Sequence, residues 1–536
     1  MGVPRRSAKF VQNISSTSYP IGFAPYLLPL CTGTFPRPPA VHPIWATTQR
    51  RTATFYHRWT SIRSKVQRQT IMPVASPRSD QGAHAAAESN ISEDDDAFEF
   101  KDNGLRLKLA PFKLEHIQDY QPGGYHPIHL GDVLGDGDGY RVIHKLGSGG
   151  FATIWLARNA NIQDTTKYVA LKVIRADASG DDCPELIMDR LIPSESTELE
   201  EREHNAGLES ICLPLEYFEI EGPNGSHLCF VYPVLGLRVS HGAFRTSDNL
   251  GKILRQVCYK VVAGLASLHA EGICHGDLTP QNILHPVTGL DGLPEGEIIK
   301  ILGEPEQNPV LDASGKENSS SNGPKYLVYP VNWGKLDAKF FVQTPQIIDF
   351  GEAFEASHPP PDLGTPGPYR SPELLLNLEN VAGVSSDLWA LGCTLFEIRT
   401  GRKLFNLFAD EYDDYLDAMC MLLGKLPEPW WSTTWESRKA VYKDEADENG
   451  RVVFVNQPEP ALHTVQPSVV QEAQEPRSLL EKLEPGLEYM EGGSYRREIL
   501  AEERQLFADL LGKLLQYKPE ERMSAKMALD HEWFKL

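Results

Sequence analysis

The sequence has no paired cysteines, no long apolar run and, over its first part, no acidic residue. Its eight cysteines never form a Cys-X-X-Cys pair, so neither a zinc ribbon nor a thioredoxin-like motif is indicated. Isolated cysteines predict reduced, mostly buried thiols. No stretch approaches the roughly 18 uninterrupted apolar residues that a membrane-spanning helix needs, so we predict no membrane partner.

The absence of acids is confined to residues 1–79, which hold eleven Lys and Arg and no Asp or Glu. Such a composition, rich in Arg and Ser, is typical of a mitochondrial transit peptide, although a disordered tail or a true start near Met72 would explain it too. Residues 80–100 end close to the acidic run 93–96 and indicate a linker. We therefore interpret residues 1–100 as a disordered extension with a transit-peptide-like composition.

The rest of the chain is strongly acidic, because the net charge of all 536 residues is −21 despite the basic start. An acidic surface repels nucleic acid and attracts basic partners, and ordinary solubility is the alternative explanation. We predict no direct contact with nucleic acid. A hydrophobic content of 41% is enough for a packed core, and the length allows more than one domain.

Strand patterns come first along the chain and helix patterns follow. Apolar and β-branched runs predict strands at residues 140–146, 154–157, 168–174 and 228–232. Helical periodicity predicts helices at residues 253–269, 385–399, 413–423 and 496–515. This order predicts an α+β protein, with a small β-rich N-lobe at about residues 135–235 and a larger helical C-lobe at about residues 236–536.

Two segments interrupt these patterns and are interpreted as insertions, at about residues 286–343 and 436–495. Within the first, residues 303–324 are polar, include three consecutive serines and predict a flexible segment. The second is charged, contains proline and shows little periodicity.

A glycine-rich turn lies between two of the predicted strands and contains Gly147, Gly149 and Gly150. Glycine lets backbone amides approach a phosphate without a side chain in the way. Ala152 replaces the third glycine of the Gly-X-Gly-X-X-Gly pattern, which weakens the motif on its own. Lys172 in Val-Ala-Leu-Lys strengthens it, because a lysine in this context binds nucleotide phosphates and pairs with a helical glutamate.

Glu185 is the predicted partner of Lys172. It follows Pro184, which suits the first turn of a helix, and apolar residues such as Met188 and Leu191 can hold that helix against the core. The later acids are not flanked by such apolar residues and are interpreted as solvated; they are Glu198, Glu200, Glu201 and Glu203.

A second group of polar residues follows in His275-Gly276-Asp277-Leu278-Thr279-Pro280-Gln281-Asn282 and in Asp349-Phe350-Gly351. Asp277 is the candidate base that orients a substrate hydroxyl, and Asn282 and Asp349 are the candidate ligands of Mg²⁺. Any one of these residues alone would be explained by a turn or a helix cap. Their order after Lys172 and Glu185 predicts phosphoryl transfer from ATP.

With these residues together, residues 125–536 resemble a eukaryotic protein kinase domain, and more narrowly the SR-protein kinase family, especially its divergent fungal members. The narrower resemblance rests on residues 124–127, 131–132, 146–155, 218–227 and 369–373. It implies a two-lobed kinase fold and a serine/threonine protein kinase that uses ATP and Mg²⁺ on substrates with basic, Arg/Ser-rich segments. We expect a monomer in the cytoplasm and nucleus, or in mitochondria if residues 1–79 are a genuine transit peptide.

The resemblance also implies individual roles. Tyr232 is similar to the residue that guards the adenine pocket, with residues 233–235 as the hinge. Glu373 is similar to a glutamate that pairs with a late arginine, here Arg522, and Asp387 to an aspartate that anchors the catalytic loop. The residues implied to hold ATP are Leu146, Gly147, Ser148, Gly149, Gly150, Ile154, Ala170, Lys172, Tyr232, Leu235 and Leu284.

Two residues depart from the common kinase pattern. Gly276 replaces an arginine that binds a phosphorylated activation loop in many kinases, so we predict activity without such phosphorylation. Thr279 takes the catalytic position of a lysine that helps to neutralise the transferring phosphoryl group, and its hydroxyl brings no charge. The alternatives are therefore a weakly active enzyme or a pseudokinase scaffold for basic partners, and a small-molecule phosphotransferase, which residues 369–373 and Arg522 oppose.

A cluster of acids precedes and enters the helix predicted at residues 413–423. A solvated helix face is the plain explanation, and a docking patch for an Arg-rich substrate is the sharper hypothesis. The cluster consists of Asp410, Glu411, Asp413, Asp414 and Asp417.

Overall fold

The structure is a computed structural model in which the described residues begin at Asp102. The predicted extension at residues 1–100 lies outside the described residues, as do Glu198, Glu200, Glu201, Glu203 and Asp410 of the sequence analysis. The described ranges are 102–135, 139–159, 167–191, 207–239, 242, 244–378, 382–407, 411–455, 478–489 and 495–536.

The strands of the described residues are concentrated in the first half of the domain. They are β1 (Arg106–Leu107), β2 (Val133–Leu134), β3 (Tyr140–Ser148), β4 (Ala152–Asn159), β5 (Lys167–Ile174), β6 (Glu216–Gly222), β7 (Gly225–Tyr232), β8 (Leu235–Arg238), β9 (Ile273–Cys274), β10 (Ile283–Pro286), β11 (Gln307–Leu311), β12 (Tyr326–Val328), β13 (Gln346–Ile347), β14 (Phe354–Glu355), β15 (Leu487–Tyr489) and β16 (Tyr495–Arg497).

The helices follow mainly in the second half. The α-helices are α1 (Leu250–Ala270), α2 (Glu295–Leu302), α3 (Pro372–Leu375), α4 (Val384–Thr400), α5 (Tyr412–Leu423), α6 (Leu479–Leu483), α7 (Ala501–Leu514) and α8 (Ala525–Ala528). The 3₁₀ turns include Pro184–Leu191, Pro280–Asn282 and Gly367–Tyr369, and Trp430–Thr434 form a π-helical turn.

The first half of the domain is built on one antiparallel sheet of six strands in the order β2-β3-β4-β5-β7-β6. Its central strands β4 and β5 consist largely of buried apolar and β-branched residues, which pack well on both faces of a pleated sheet. Lys172 lies in the middle of β5, opposite Ile154 of β4 and Phe230 of β7. The four strands predicted from the sequence are all contained in β3, β4, β5 and β7.

The second half is organised around α1 and α4, which pack against each other. Nearly every residue of α4 is buried, so this helix is apolar over most of its circumference and forms the centre of the core. α1 buries one face through residues such as Val257, Val261 and Leu265, spaced by one helical turn. The helices predicted at 253–269, 385–399 and 413–423 correspond to α1, α4 and α5.

The fourth predicted helix, at residues 496–515, is wrong at its beginning. Tyr495–Arg497 form β16, which pairs with β15, and α7 starts only at Ala501. The Arg497 guanidinium donates to the carbonyl of Ser247 at 3.0 Å. Contacts between residues distant in the sequence therefore decide this strand, and no local periodicity reveals them.

The polar stretch at residues 303–324 is not the predicted flexible segment. It contains β11, which pairs with β1 on one side and β12 on the other. Buried Asn318 donates through Nδ2 to the carbonyls of Gly323 and Pro324 at 2.9 and 3.1 Å. The polar side chains thus satisfy backbone groups of an ordered turn, so the polar composition was a misleading sign of flexibility.

The described part of the second insertion is packed as well, although the sequence shows little periodicity there. Ser437–Ala440 form a 3₁₀ turn, and α6 and β15 follow later. Tyr442 is 2% exposed and packs beside Trp431 and Trp435. Aromatic contacts across the segment fix it where periodicity is absent.

The seven cysteines among the described residues are all buried free thiols, as the sequence predicts. In the same part of the chain, no helix is both long and apolar enough to span a bilayer.

Candidate active site

The loop at residues 275–282 and Asp349 are brought together by two pairs of short strands. β9 ends directly before the loop and pairs with β14, which follows Asp349. β10 begins directly after the loop and pairs with β13, which precedes Asp349. Both ends of the loop are thus attached to the strands that flank Asp349, which places Asp277, Asn282 and Asp349 in one site although they are far apart in the sequence.

Lys172 lies between two carboxylates at this site. Its Nζ atom is 2.6 Å from Oε2 of Glu185 and 2.9 Å from Oδ1 of Asp349. Glu185 is buried, and its Oε1 atom accepts a hydrogen bond from the hydroxyl of Tyr232 at 2.6 Å. The predicted ion pair of Lys172 with Glu185 is present, although Glu185 is carried by a 3₁₀ turn, Pro184–Leu191, and not by an α-helix.

Charge and backbone geometry fix this group further. Burial alone would lower the pKa of Lys172, but the carboxylates of Asp349 and Glu185 outweigh it and raise the pKa. The ammonium of Lys172 in turn holds the pKa of Asp349 below its ordinary value. Asp349 has φ of 64°, a left-handed conformation uncommon for a residue other than glycine. Such strain persists where the surroundings over-determine it, typically at functional sites.

Asp277 is oriented by Asn282. The Nδ2 amide of Asn282 donates to Oδ2 of Asp277 at 2.8 Å and to its main-chain carbonyl at 2.9 Å. The Oδ1 atom of Asp277 is buried and has no hydrogen-bond partner among the described residues. Burial raises the pKa of Asp277 to about 7, against the hydrogen bond from Asn282. One carboxylate oxygen is therefore fixed by the amide, and the other is available to a further polar group.

Asp387, in α4, holds the start of the same loop. Its buried carboxylate accepts hydrogen bonds from the backbone N–H of His275 at 2.7 Å and of Gly276 at 3.0 Å. Its Oδ2 atom also lies 3.0 Å from Nε2 of His269 in α1. The loop-anchoring contacts that the sequence resemblance implies for Asp387 are present.

An apolar cluster lies beside Lys172 and contains six of the residues predicted to hold a nucleotide. Four come from the six-stranded sheet, and two come from the neighbouring three-stranded sheet formed by β13, β10 and β8. The structure thus brings into one cluster Leu146, Ile154, Ala170, Tyr232, Leu235 and Leu284. The other predicted residues lie at the end of β3 and in the turn after it: Gly147, Ser148, Gly149 and Gly150.

Comparison with known proteins decides what kind of domain carries this site. The family described as the protein kinase domain matches residues 140–301 and 339–534, more than half of the chain. The chain belongs to the protein kinase family. The predicted α+β, two-lobed kinase fold is thereby confirmed.

Individual relatives show which members of the protein kinase family the chain resembles. The kinase is 27% identical over 438 residues to the serine/threonine-protein kinase SRPK of Physarum polycephalum, which covers 78% of this chain and 91% of that protein. Protein kinase dsk1 of Schizosaccharomyces pombe is 27% identical over 398 residues, 59% of this chain and 71% of dsk1. Serine/threonine-protein kinase spk-1 of Caenorhabditis elegans is 34% identical over 187 residues, 34% of this chain and 18% of spk-1. They confirm the predicted SR-protein kinase resemblance and a serine/threonine protein kinase.

Gly276 meets a structural requirement in this kinase. It has φ of +78°, and a Cβ atom added there would lie 2.2 Å from the carbonyl oxygen of Glu352. The carbonyl of Gly276 accepts a hydrogen bond from the hydroxyl of Thr365, downstream of Asp349. No side chain fits at this position in the present conformation, so the position excludes an arginine.

Thr279 is almost completely buried, at 3% exposure. It is extended and precedes the 3₁₀ turn Pro280–Asn282, and its carbonyl accepts the backbone N–H of Asn282 at 3.0 Å. Thr279 therefore contributes to the conformation that places Asn282 beside Asp277. The relatives favour an active enzyme over the pseudokinase alternative.

The predicted pair of Glu373 and Arg522 is present and fully buried. The two guanidinium nitrogens of Arg522 lie 2.7 and 2.6 Å from the two carboxylate oxygens of Glu373. This two-pronged contact joins α3 to the segment before α8, and both side chains have no exposed surface.

The acidic cluster around α5 divides into two kinds of residue. Asp413 accepts a hydrogen bond from the indole of Trp435 at 2.9 Å, and Asp417 accepts one from the hydroxyl of Tyr442. These two acids hold the packed segment after α5 through one carboxylate oxygen each. Glu411 and Asp414 are exposed, and Asp410 lies outside the described residues.

Sequence reasoning missed several residues that shape the site. It gave no role to Glu352, whose charge raises the pKa of Asp277, or to Thr365, which holds Gly276. Tyr125 belongs to a stretch that carries the family resemblance but received no role of its own, although its hydroxyl contacts the glycine-rich turn. These contacts join distant parts of the chain, and no local pattern in the sequence indicates them.

Proposed function

We propose that this kinase transfers the γ-phosphoryl group of ATP to a serine or threonine hydroxyl of a protein substrate, with Lys172, Asp277, Asn282 and Asp349 as the reacting site. The observation that carries the proposal is the convergence of these four side chains. Lys172 forms an ion pair with Asp349, and Asn282 donates a hydrogen bond to Asp277.

Lys172 is proposed to bind the phosphates of ATP. Its pKa is raised by Asp349 and Glu185, so it is fully charged at neutral pH. Glu185 is fixed in turn by Tyr232, which keeps the ammonium in place. The apolar cluster beside it, which includes Ala170 and Leu235, provides the surface that an adenine ring needs.

Asp277 is proposed to orient the substrate hydroxyl and accept its proton. Its unpartnered Oδ1 atom supplies the acceptor, and a pKa of about 7 makes it a stronger base than an ordinary aspartate. Asn282 holds the other oxygen and so sets the direction of Oδ1.

Asn282 and Asp349 are proposed as the ligands of Mg²⁺. The donor set fits, because an amide oxygen and a carboxylate are the oxygen ligands that this hard cation prefers. Both amide contacts of Asn282 to Asp277 are made through Nδ2, so its Oδ1 is the atom that can face a cation. When bound, the cation would neutralise negative charge on the transferring phosphoryl group.

The proposed substrate is a protein segment rich in arginine and serine. The name of the relative SRPK and the acidic charge of the chain support this class of substrate. Among the described acids of the α5 cluster, Glu411 and Asp414 are exposed and are not the acceptors that hold Trp435 and Tyr442. They are the residues proposed to attract guanidinium groups.

Charge reversal tests this assignment. Glu411→Lys combined with Asp414→Lys should raise KM for an Arg-Ser peptide about tenfold and leave KM for a neutral serine peptide within a factor of two. The matched control is Glu304→Lys with Glu306→Lys, two exposed acids before β11. The docking proposal would be contradicted if Glu411→Lys with Asp414→Lys raised KM equally for both peptides. It would also be contradicted if the control pair raised KM for the Arg-Ser peptide as much.

A further inference from the structure

Tyr125 contacts the glycine-rich turn from outside the six-stranded sheet. Its hydroxyl oxygen lies 2.6 Å from the carbonyl oxygen of Gly149 and 3.1 Å from that of Gly150, so one proton is shared between two acceptors. Tyr125 itself is 2% exposed, whereas both glycines are exposed. A buried side chain thus holds the exposed end of a glycine turn.

Tyr125 is also held by contacts other than those with Gly149 and Gly150. Its main-chain carbonyl accepts a hydrogen bond from Nδ2 of Asn224 at 2.6 Å. Its ring packs in one cluster with Tyr120 and Leu327, and the guanidinium of Arg175 lies 5.5 Å from the ring centre. These neighbours hold the ring beside the turn.

The hydroxyl of Tyr125 is a donor throughout the physiological pH range. Burial raises its pKa to about 12, and the nearby charge of Asp119 adds to the rise. The acceptors are carbonyl oxygens, which cannot donate in return. The direction of both contacts is therefore settled.

These contacts fix the backbone amides of the turn. In a planar trans peptide, the C=O and the following N–H point in opposite directions. A Gly149 carbonyl directed to Tyr125 turns the N–H of Gly150 away from it, and the Gly150 carbonyl does the same for the N–H of Phe151. A Cβ atom added at Gly149 or Gly150 would meet no atom within 4 Å, so space is open around the turn.

We propose that Tyr125 is a positioning residue that holds the turn with the N–H groups of Gly150 and Phe151 presented to the phosphates of ATP before the nucleotide binds. This inference rests on the proposed role of the turn in ATP binding. Without the hydroxyl, ATP binding itself would have to order the two glycines. The entropy lost in doing so would lower the affinity for ATP, because glycine has the largest conformational freedom to lose.

The test compares Tyr125→Phe with the matched control Tyr120→Phe. Tyr120 belongs to the same cluster and also loses one hydroxyl, but its partner is Glu115, at 2.8 Å, and not the turn. Tyr125→Phe should raise KM for ATP about three- to tenfold, the worth of one hydrogen bond, with kcat changed less than twofold. In the nucleotide-free enzyme, the amide of Gly149, which donates to the carbonyl of Ala152 at 2.9 Å, should exchange with deuterium several-fold faster, and Tyr120→Phe should change neither value.

Unchanged exchange or an unchanged KM for ATP in Tyr125→Phe would overturn the inference. So would equal changes in Tyr120→Phe, since these would reflect a general loosening of the cluster. The hydrogen exchange experiment needs neither substrate nor turnover. A failure of the proposed function would instead appear as wild-type enzyme that transfers no phosphate from ATP.

Discussion

At the scale of single residues, the site depends on a lysine placed between carboxylates from distant parts of the chain. Glu185 is buried and has two partners, Lys172 and Tyr232. Asp349 is about half exposed and is held in a left-handed conformation. The buried carboxylate therefore positions the ammonium, and the exposed one is left for other ligands.

Glu185→Gln should remove the charge that holds Lys172 while keeping the size of the side chain. We expect kcat/KM for ATP to fall on the order of 10²-fold, comparable to the loss of one preorganised electrostatic group. Steady-state kinetics with varied ATP measure this change. Tyr232→Phe is the control, because it keeps the carboxylate and removes one of its hydrogen bonds; a loss below tenfold is expected. A Glu185→Gln enzyme with wild-type kcat/KM would contradict the positioning role.

Most of the residues at this centre are predictable from the sequence, because each belongs to a motif with a fixed order along the chain. Lys172, Glu185, Asp277, Asn282 and Asp349 were predicted in this way. Tyr125 and Thr365 could not be, because their roles consist of single contacts with residues far away in the sequence. A tyrosine or threonine outside a motif gives no signal of what it will touch.

At the scale of elements, the segment from Asp349 to Glu373 is held by its own contacts. The hydroxyl of Thr365 donates to the carbonyl of Gly276, and the backbone N–H of Gly364 donates to Glu352 at 2.9 Å. Arg370, nearly buried, donates to the carbonyl of Leu363 at 2.8 Å. These bonds order the segment without any added phosphate.

Activity should therefore not require phosphorylation of this segment. We expect enzyme treated with a phosphatase, and shown by mass spectrometry to lack phosphate, to keep at least half of its kcat toward an Arg-Ser peptide. The physical reason is that the contacts that order the segment are already made by groups of the chain itself. A large loss of kcat on dephosphorylation, restored by rephosphorylation, would show that the segment needs the added charge.

Elements with strong local patterns were predicted well, and those that depend on distant partners were not. The sequence pattern is enough to predict the elements that carry many buried apolar residues, namely β4, β5, α1 and α4. β11 is short and contains a proline, and it forms a strand between β1 and β12. Sheet pairing of this kind depends on context more than on the residues of the strand itself.

At the scale of the whole molecule, buried neutral histidines make stability depend on pH. His285 is 2% exposed, and burial lowers its pKa to about 4, against hydrogen bonds to the carbonyls of Val342 and Gln343. In the unfolded chain a histidine has a pKa near 6.5. The unfolded state therefore binds more protons than the folded state between these values, and the stability is lost as pH falls.

Between about pH 6.5 and pH 4, His285 should account for a loss of up to about 3 kcal/mol in the free energy of unfolding. Denaturant unfolding at several pH values measures the slope. His285→Gln should flatten the slope, whatever its effect on the stability at pH 7. His358→Gln, at an 81% exposed side chain, is the control and should leave the slope unchanged. Parallel curves for wild type and His285→Gln would contradict the assignment.

The most direct measurement is phosphate transfer from ATP to an Arg-Ser peptide by wild type and by Asp277→Asn. The substitution keeps the shape of the side chain and removes the base whose Oδ1 atom is otherwise unpartnered. Wild type should transfer phosphate, and Asp277→Asn should be slower on the order of 10²- to 10⁴-fold at similar KM for ATP. Equal rates for the two proteins would contradict the assignment of this site.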